Sequence, residues 1–298
     1  MTDILVASIG FGLITVAILS LASAGFTLQF SVTGVLNLAY ADVMTVAGFG
    51  ALALNQQLGW SIWLTVPVGG LIGGLLSVVL NRAILQPLLR KGTSMFGMLI
   101  ASLALSLVIW NLTLAFVRPG FFHYDMPPAD VHRFLGQILT TNQLLFMALA
   151  AAVLLAVHLI LRRSKLGKAM RAVAANPDLA RSSGIPSRRV VDITWFISGF
   201  LGGVAGVVLF AGVPAFDTST ARGITVIVLA TVILGGVGNV YGALLAALVI
   251  GLTSEIVATV FAPEWRDVLA LVVLIGVLLV RPQGIVRDVT GGREVAAA

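Results

Sequence analysis

Long apolar runs, separated by short polar stretches, occupy most of this chain. A helix that crosses a hydrocarbon core of about 30 Å needs about 20 such residues. The pattern predicts nine crossings, at residues 4–26, 32–54, 60–80, 95–117, 142–161, 190–213, 224–235, 241–260 and 267–281. The seventh run is short for a full crossing, which indicates a broken or re-entrant helix near residues 224–240. We therefore expect an all-α integral membrane bundle of eight to nine spans, forming one domain over residues 1–298.

The composition supports a bilayer as the solvent. Hydrophobic residues make up 59% of the chain and charged residues only 10%, against roughly 25% charged residues in soluble domains. The formal net charge of +6 does not require a nucleic-acid partner, because membrane proteins keep Lys and Arg on the cytoplasmic side. The chain has no cysteine, which excludes a thiolate nucleophile and a cysteine metal site.

The distribution of basic residues predicts the orientation. We expect the protein to lie in the inner membrane of a bacterial cell. If residues 162–189 are cytoplasmic, the alternation of successive crossings places the N-terminus outside and the C-terminus in the cytoplasm. All but four of the 18 Lys and Arg residues then lie inside. Nine crossings fit this rule better than eight. The four that lie outside are Arg118, Arg133, Arg222 and Arg266. Because no Lys or Arg precedes Arg82, we interpret the first run as a retained span and not as a signal peptide.

Small residues recur every four positions in several runs, which predicts close helix packing. One such series is Gly69, Gly73 and Ser77, and a second is Gly199 and Gly203. In lipid, close packing replaces the hydrophobic effect as the force that holds helices together.

The loop at residues 162–189 carries two helix signals. Residues 165–175 are good helix formers with apolar side chains on one side. Pro177 should end this helix, and Gly184 should cap a short second one. Loops longer than about 12–15 residues are usually functional or disordered. The loop is either a basic anchor on anionic lipid or a docking surface for a cytoplasmic partner.

Three separated motifs resemble the permease subunits of branched-chain (hydrophobic) amino acid ABC importers. They are the segment from Leu166 to Ile185, the segment from Ile233 to Ala243 and the terminal segment from Leu278 to Ile285. The segment from Gly34 to Asp42 also resembles that family, with Tyr40 in place of the usual His and Ala41 in place of the usual Gly. The resemblance covers nearly the whole chain.

The resemblance implies a multi-subunit importer. The loop would supply the helix that couples to the ATPase, with these residues in that element: Gly167, Lys168, Arg171, Ala172, Asn176, Pro177 and Gly184. The implied partners are cytoplasmic ATP-binding subunits, a sister permease that is the same chain or a different one, and an extracytoplasmic solute-binding protein. The chain has no G-x-x-x-x-G-K-[ST] phosphate loop. We therefore expect no enzymatic activity, no cofactor and no metal in this subunit.

Polar and glycine residues inside the apolar runs are candidates for the translocation path. These are Asn37, Tyr40, Asp42, Gly235, Gly236, Gly238 and Asn239. On a regular helix Asn37 and Asp42 would point about 140° apart, so they share a site only if the helix is broken between them. Bonds to neighbouring helices explain the polar residues equally well, and a plain turn explains the glycines. Asn111 is expected to bond between helices, and Asp192 and Glu255 to lie near helix ends.

The leading hypothesis is a permease that moves amino acids, branched-chain ones or related small polar solutes such as amides or urea. An ion-gradient-driven transporter or channel is the alternative, although such proteins usually bury several carboxylate or His relays. An intramembrane enzyme is disfavoured, because no nucleophile with a nearby base is evident.

Overall fold

The computed structural model describes residues 2–134, 137–280, 284 and 285, and this part of the chain is almost entirely helical. The longer helices are α1 (Thr2–Thr33), α2 (Tyr40–Leu58), α3 (Ile62–Leu80), α5 (Met95–Phe116), α6 (Thr141–Arg163), α9 (Ser187–Ala211), α12 (Val240–Val260) and α13 (Trp265–Val280). The shorter ones are α4 (Gln86–Arg90), α7 (Lys165–Ala175), α8 (Pro177–Ser182), α10 (Thr220–Gly223) and α11 (Thr225–Gly235). A π-helical turn, Asn81–Leu85, joins α3 to α4.

Every predicted apolar run contains a helix, but the count of eight to nine spans is not confirmed. Within the described residues, six helical segments are long and apolar enough to cross a membrane. They are Ser8–Thr33, Ile62–Arg90, Met95–Phe116, Thr141–Arg163, Ser187–Ala211 and Val240–Val260. The seventh run forms the short apolar segment Thr220–Gly235, as its length indicated. The basic residues Arg281, Arg287 and Arg293, on which the nine-span argument rested, lie outside the described residues.

The second predicted run, residues 32–54, is not one helix. The first helix continues to Thr33, and α2 begins only at Tyr40. Between them Gly34 adopts a φ of 68°, a left-handed conformation that glycine takes without steric cost. The six residues Gly34–Ala39 form a non-helical segment, which we call the α1–α2 break. Hydropathy alone missed it because the break is as apolar as the helices beside it.

Helix α9 lies at the centre of the bundle, and almost every residue from Ser198 to Ala211 is buried. It packs on α3 through the small residues that the sequence pattern singled out. A Cβ atom on Gly73 would collide with the backbone carbonyl of Gly199, and one on Gly203 would collide with that of Gly69. The two backbones are therefore in direct contact, as predicted for small residues at four-residue spacing.

The loop after α6 folds as the sequence predicted. Ser164 caps α7, since its hydroxyl accepts the N–H of Gly167 at 3.1 Å. Asn176 caps α8 by accepting the N–H groups of Asp178 and Leu179 at 3.1 and 3.0 Å. Pro177 occupies the first turn of α8, and Gly184 ends the loop with a φ of 80°. Both helices are fixed by local capping chemistry that can be read from sequence.

A short hairpin departs from the all-α prediction. Strand β1 (Val131–Phe134) pairs antiparallel with β2 (Gln137–Thr140) in the connection between α5 and α6. Strands of four residues give too weak a periodic signal to be recognised beside long apolar helices.

The contact between α3 and α9 yields a stability prediction. Gly203→Leu places a side chain against the backbone of Gly69 and Gly70. We expect it to lower the free energy of unfolding by about 1–3 kcal/mol, the usual cost of overpacking. Thermal unfolding in detergent micelles measures the effect. Gly276→Leu in α13 is the control, because a Cβ atom there meets open space. Equal melting temperatures for the two variants would contradict the packing.

Candidate functional site

The α1–α2 break is held in place by polar side chains from two directions. The Ser102 hydroxyl of α5 lies 3.0 Å from the carbonyl oxygen of Leu36 and 3.2 Å from the amide nitrogen of Leu38. Within the break, Asn37 Oδ1 accepts the N–H of Ala39 at 3.1 Å. These contacts satisfy backbone groups that have no helical partner, which is the condition for irregular backbone in a membrane-embedded protein.

Just beyond the break, Asp42 forms an ion pair with Arg222, which belongs to α10. The Arg222 Nε atom donates to Asp42 Oδ1 at 3.0 Å, and one terminal nitrogen donates to the Ser106 hydroxyl at 2.9 Å. The guanidinium carbon lies 4.4 Å from the centre of the Trp110 ring. Asp42 is almost fully buried, while 31% of the Arg222 side chain is exposed to an open pocket. We call Asp42, Ser106, Trp110 and Arg222 the ion-pair cluster.

The ion-pair cluster lies about one helix length from the α7 end of the bundle. Helix α7 follows the apolar helix α6, and Gly238 and Asn239 line a groove together with it. From there α11 runs back for 11 residues, a rise of about 16 Å, and Arg222 precedes its start. The sequence placed Arg222 in an outer loop; it lies in the short helix α10, where it pairs with a buried carboxylate.

A small cavity joins the α1–α2 break to the start of α11. It has a volume of about 10 Å³, room for about one water molecule, and is lined by Asn37, Tyr40, Ala41 and Thr225, with apolar side chains around them. Two buried polar atoms near the break have no partner among the described residues: Asn37 Nδ2, whose residue lines this cavity, and Asp42 Oδ2, whose residue lines the open pocket beside Arg222. One is a donor and the other an acceptor. Unsatisfied buried polar groups are costly, and a bound water is one way to satisfy them.

Tyr40, the third predicted path residue in this segment, contributes its ring to the same cavity. Its hydroxyl donates to the Ser198 carbonyl at 3.1 Å, and the Ser198 hydroxyl in turn donates to Gln29 Oε1 at 3.2 Å. Tyr40 therefore links α2 to α9 and α1. Asn37 and Tyr40 line this cavity, and Asp42 lines the adjoining open pocket, which shares Leu38 and Thr225 with it.

The predicted glycine group lies elsewhere. Gly236 and Gly238 adopt φ values of 97° and 98° and form a tight turn between α11 and α12. Asn239 caps α12 by accepting the N–H of Gly242 at 3.0 Å, and Gly235 packs directly on the backbone of Gly242 and Ala243. The length of α11, about 16 Å, separates this turn from the ion-pair cluster.

Sequence reasoning missed three members of the site, Ser106, Trp110 and Arg222. Ser106 and Trp110 carried no usable signal, because each is one polar or aromatic residue in an apolar run. Arg222 carried one, since it immediately precedes a run too short to span the membrane.

Of three other polar residues, only Asn111 differs from expectation. Asp192 and Glu255 lie near the ends of α9 and α12, as expected, where they are buried and pair with Arg82 and Arg266 at 2.7 and 2.6 Å. Asn111 lies on an exposed face and donates to the Leu107 carbonyl of its own helix at 2.7 Å. Because that bond stays within α5, Asn111 forms no bond between helices among the described residues.

Hydrogen bonds also order the segment between α9 and α10, which positions Arg222. Burial raises the pKa of the Asp217 carboxyl, but hydroxyl and backbone donors of Ser219 and Thr220 outweigh burial and hold the pKa below its ordinary value. The donor distances to Asp217 Oδ1 are 2.8–3.0 Å. Asp217 therefore stays ionised at neutral pH and fixes the start of α10.

The ion pair predicts a specific mutational pattern. Arg222→Gln leaves the Asp42 carboxylate buried without a counter-charge, and we expect a loss of about 3–5 kcal/mol in stability. The double variant Asp42→Asn/Arg222→Gln should recover most of this loss, because no isolated charge remains. Chemical denaturation in detergent measures both. Arg118→Gln, at an exposed arginine, is the control. A double variant as unstable as the single one would show that the charges are not coupled.

Comparisons with known proteins agree with the resemblance seen in the motifs. Residues 8–278 match the family model described as branched-chain amino acid transport system / permease component. The chain is 27% identical over 284 residues to the probable branched-chain amino acid transport permease protein LivH of Methanocaldococcus jannaschii, covering 90% of this chain and 88% of that one. It is 26% identical over 297 residues to the galactofuranose transporter permease protein YtfT of Escherichia coli K12, covering 92% and 80%.

A solved structure shares the fold. The structure titled "PsaBC from Streptococcus pneumoniae in complex with Fab" matches with a TM-score of 0.53 and 16% identity, over 93% of this chain and 92% of that one. With a match over residues 8–278, this chain belongs to the family of branched-chain amino acid transport system permease components.

Proposed function

We propose that this chain is the membrane-spanning subunit of an ATP-driven importer and that its solute passes beside the α1–α2 break. One observation carries the proposal: a buried ion pair and two unsatisfied polar atoms lie beside two adjoining pockets at the break. Ionisable groups inside an apolar helix bundle are costly and often mark solute pathways. The relatives named above are transport permeases, which supports the same assignment.

The chemistry of the open pocket beside the ion pair suits a zwitterionic solute. When the pair opens, Arg222 can donate to an α-carboxylate, and Asp42, whose Oδ2 is already free, can accept from an α-ammonium group. Phe26, Met44 and Val228 line the small adjoining cavity with apolar surface, and this cavity has to widen before it takes a branched aliphatic side chain. We propose a hydrophobic amino acid as the solute. A related amide or urea would hydrogen-bond to the Asn37 amide but would not bind both charges of the Asp42–Arg222 pair.

Helix α7 is placed to transmit movement to this site. Its apolar side chains Met170 and Val173 pack into a cluster that includes Val32 at the end of α1 and Val190 at the start of α9. Val32 lies two residues before the break. A partner that shifts α7 therefore acts on both α1 and α9, the helices that border the break and Tyr40. We propose alternating access driven in this way by ATP binding and hydrolysis in the partner subunits.

Four of the seven residues implied for coupling fall into two groups. Gly167 is buried, and a Cβ atom there would collide with the Leu161 carbonyl, while Arg171 donates to that same carbonyl at 2.6 Å. These two hold α7 against α6. Lys168 and Asn176 are exposed and can touch a partner. Leu179 of α8 is also 64% exposed, and we add it to the proposed docking surface.

The remaining assignments complete the importer. We propose two permease subunits, this chain with a second copy or a sister chain, on two cytoplasmic ATP-binding subunits. An extracytoplasmic solute-binding protein delivers the solute to the opposite face. The N-terminus lies outside and the C-terminus in the cytoplasm, in accordance with the basic residues of the loop at 162–189.

The docking surface can be tested by ATPase coupling. Lys168→Glu combined with Leu179→Ser changes two exposed positions and should leave the bundle intact. We expect the purified complex to lose most of its solute-stimulated ATP hydrolysis and its retention of the ATP-binding subunit. Lys91→Glu, an exposed charge reversal in another predicted cytoplasmic turn, should behave like wild type. Unchanged hydrolysis in the double variant would move the ion-gradient-driven transporter to first place.

The solute path can be tested by uptake. Arg222→Lys keeps the positive charge beside Asp42 but loses the planar group that also reaches Ser106. We expect ATP-driven uptake of radiolabelled leucine into proteoliposomes to fall by roughly ten- to a hundredfold, the equivalent of one charge-assisted hydrogen bond. Subunit assembly should be retained. Wild-type uptake by this variant would place the path elsewhere.

A further inference from the structure

A second, larger groove opens at the α7 end of the bundle. It has a volume of about 570 Å³ and lies between the end of α1, the end of α6, the inner face of α7 and the start of α12. Leu28, Val32 and Met170 form an apolar floor, and Arg162 and Arg171 lie at its α6 and α7 sides. It is separate from the cavity at the α1–α2 break and shares no lining residue with it.

The charged side chains that line the groove are all positive. Both charged side chains that line it are arginines, and no Asp or Glu occurs in the sequence from residue 131 to 177. Arg171 donates one hydrogen bond to the Leu161 carbonyl, and its remaining N–H groups can donate to a ligand. Arg162 is exposed. The nearest carboxylate along the chain, Asp178, already lies 3.6 Å from Arg181. Among the residues that the structure describes, the groove therefore presents positive charge to an anion and has no carboxylate in its lining.

The groove continues into the apolar outer surface of two helices. On α6, Leu155 and Leu159 are 58% and 42% exposed and lie one turn before the lining residues His158 and Arg162. On α12, Leu245 is 53% exposed, one turn after the lining residue Tyr241. Residues three or four apart share a helix face. The groove thus opens sideways onto a surface that contacts acyl chains when the bundle lies in a bilayer.

We infer that this groove binds an anionic phospholipid. Its phosphate lies between Arg162 and Arg171, and one acyl chain follows Leu28 and Val32 toward the exposed leucines. Basic pockets between helices on the cytoplasmic side suit anionic head groups. Tyr241, whose hydroxyl lies 3.0 Å from His158 Nδ1, joins α6 to α12 at the interfacial depth that tyrosine prefers. The bound lipid fastens α7 to α1, so it also supports the helix that is proposed to couple to the ATPase.

Native mass spectrometry of the full-length chain in detergent tests the site with phosphatidylglycerol and phosphatidylcholine as probes. We expect phosphatidylglycerol to be retained in preference to phosphatidylcholine. Arg162→Gln should weaken its binding about fivefold, the effect of about 1 kcal/mol per basic residue. Arg162→Gln/Arg171→Gln should weaken it on the order of 25-fold. Arg163→Gln is the matched control, since Arg163 is exposed, adjacent and not part of the lining.

Three results would overturn the inference. The first is equal retention of the two lipids, and the second is wild-type retention of phosphatidylglycerol by Arg162→Gln, a change that removes no hydrogen bond of the fold. The third is loss of the lipid when the complete transporter is assembled, which would make the groove a contact between subunits. None of these measurements depends on the identity of the solute. Failure here is therefore distinguishable from failure of the proposed transport function.

Discussion

Irregular backbone in a membrane must find its hydrogen-bond partners within the protein, and the α1–α2 break depends on this constraint. Gly34 turns the chain out of α1, Asn37 bonds the N–H of Ala39, and Ser102 reaches across from α5 to Leu36 and Leu38. With these contacts the chain can begin α2 well inside the bundle. The same break lets Asn37 and Asp42 line adjoining pockets, whereas a continuous helix would point them about 140° apart.

Burying the ion pair of Asp42 and Arg222 costs free energy, and the pair can also serve to bind a solute. Removing a carboxylate and a guanidinium from water is offset only by close geometry and further hydrogen bonds. Arg222 meets this requirement through Asp42, Ser106 and the Trp110 face. The offset is incomplete, since Asp42 Oδ2 has no partner in the described part of the chain. A pair that is bonded but not fully satisfied can be exchanged for a solute of complementary charge, whereas a fully satisfied pair would resist opening.

Close glycine packing gives the bundle a rigid centre to which the loop helices attach. The backbones of α3 and α9 touch at Gly73, Gly199 and Gly203, which brings dispersion contacts and excludes lipid. Helix α7 packs on the end of α9 at Val190 and on the end of α1 at Val32. The α7 end of the bundle is therefore joined mechanically to the break by a few residues. The basic groove lies in this same region, so the proposed lipid and the proposed partner subunits would act on one set of helices.

Much of this architecture is local and can be read from the sequence. Every apolar run contains a helix, and the helix-forming residues 165–175 together with Pro177 and Gly184 gave the loop helices almost to the residue. Four-residue glycine spacing predicted close helix packing, which α3 and α9 show. The motif at Leu166–Ile185 indicated the family that the comparison over residues 8–278 then showed. These features can be read from the sequence because each depends on residues within one or two helical turns.

Only the tertiary structure shows which residues come together to form the site. Asp42 and Arg222 are 180 residues apart, and Ser106 comes from a third helix, so no spacing in the sequence could pair them. The break at Gly34–Ala39 is as apolar as a helix, and only the approach of Ser102 identifies it. The Gly235–Asn239 turn, which the sequence grouped with Asn37, lies the length of α11 away. In a bilayer nearly all positions are apolar, so hydropathy cannot tell which of them face one another, and that is set by how the helices pack.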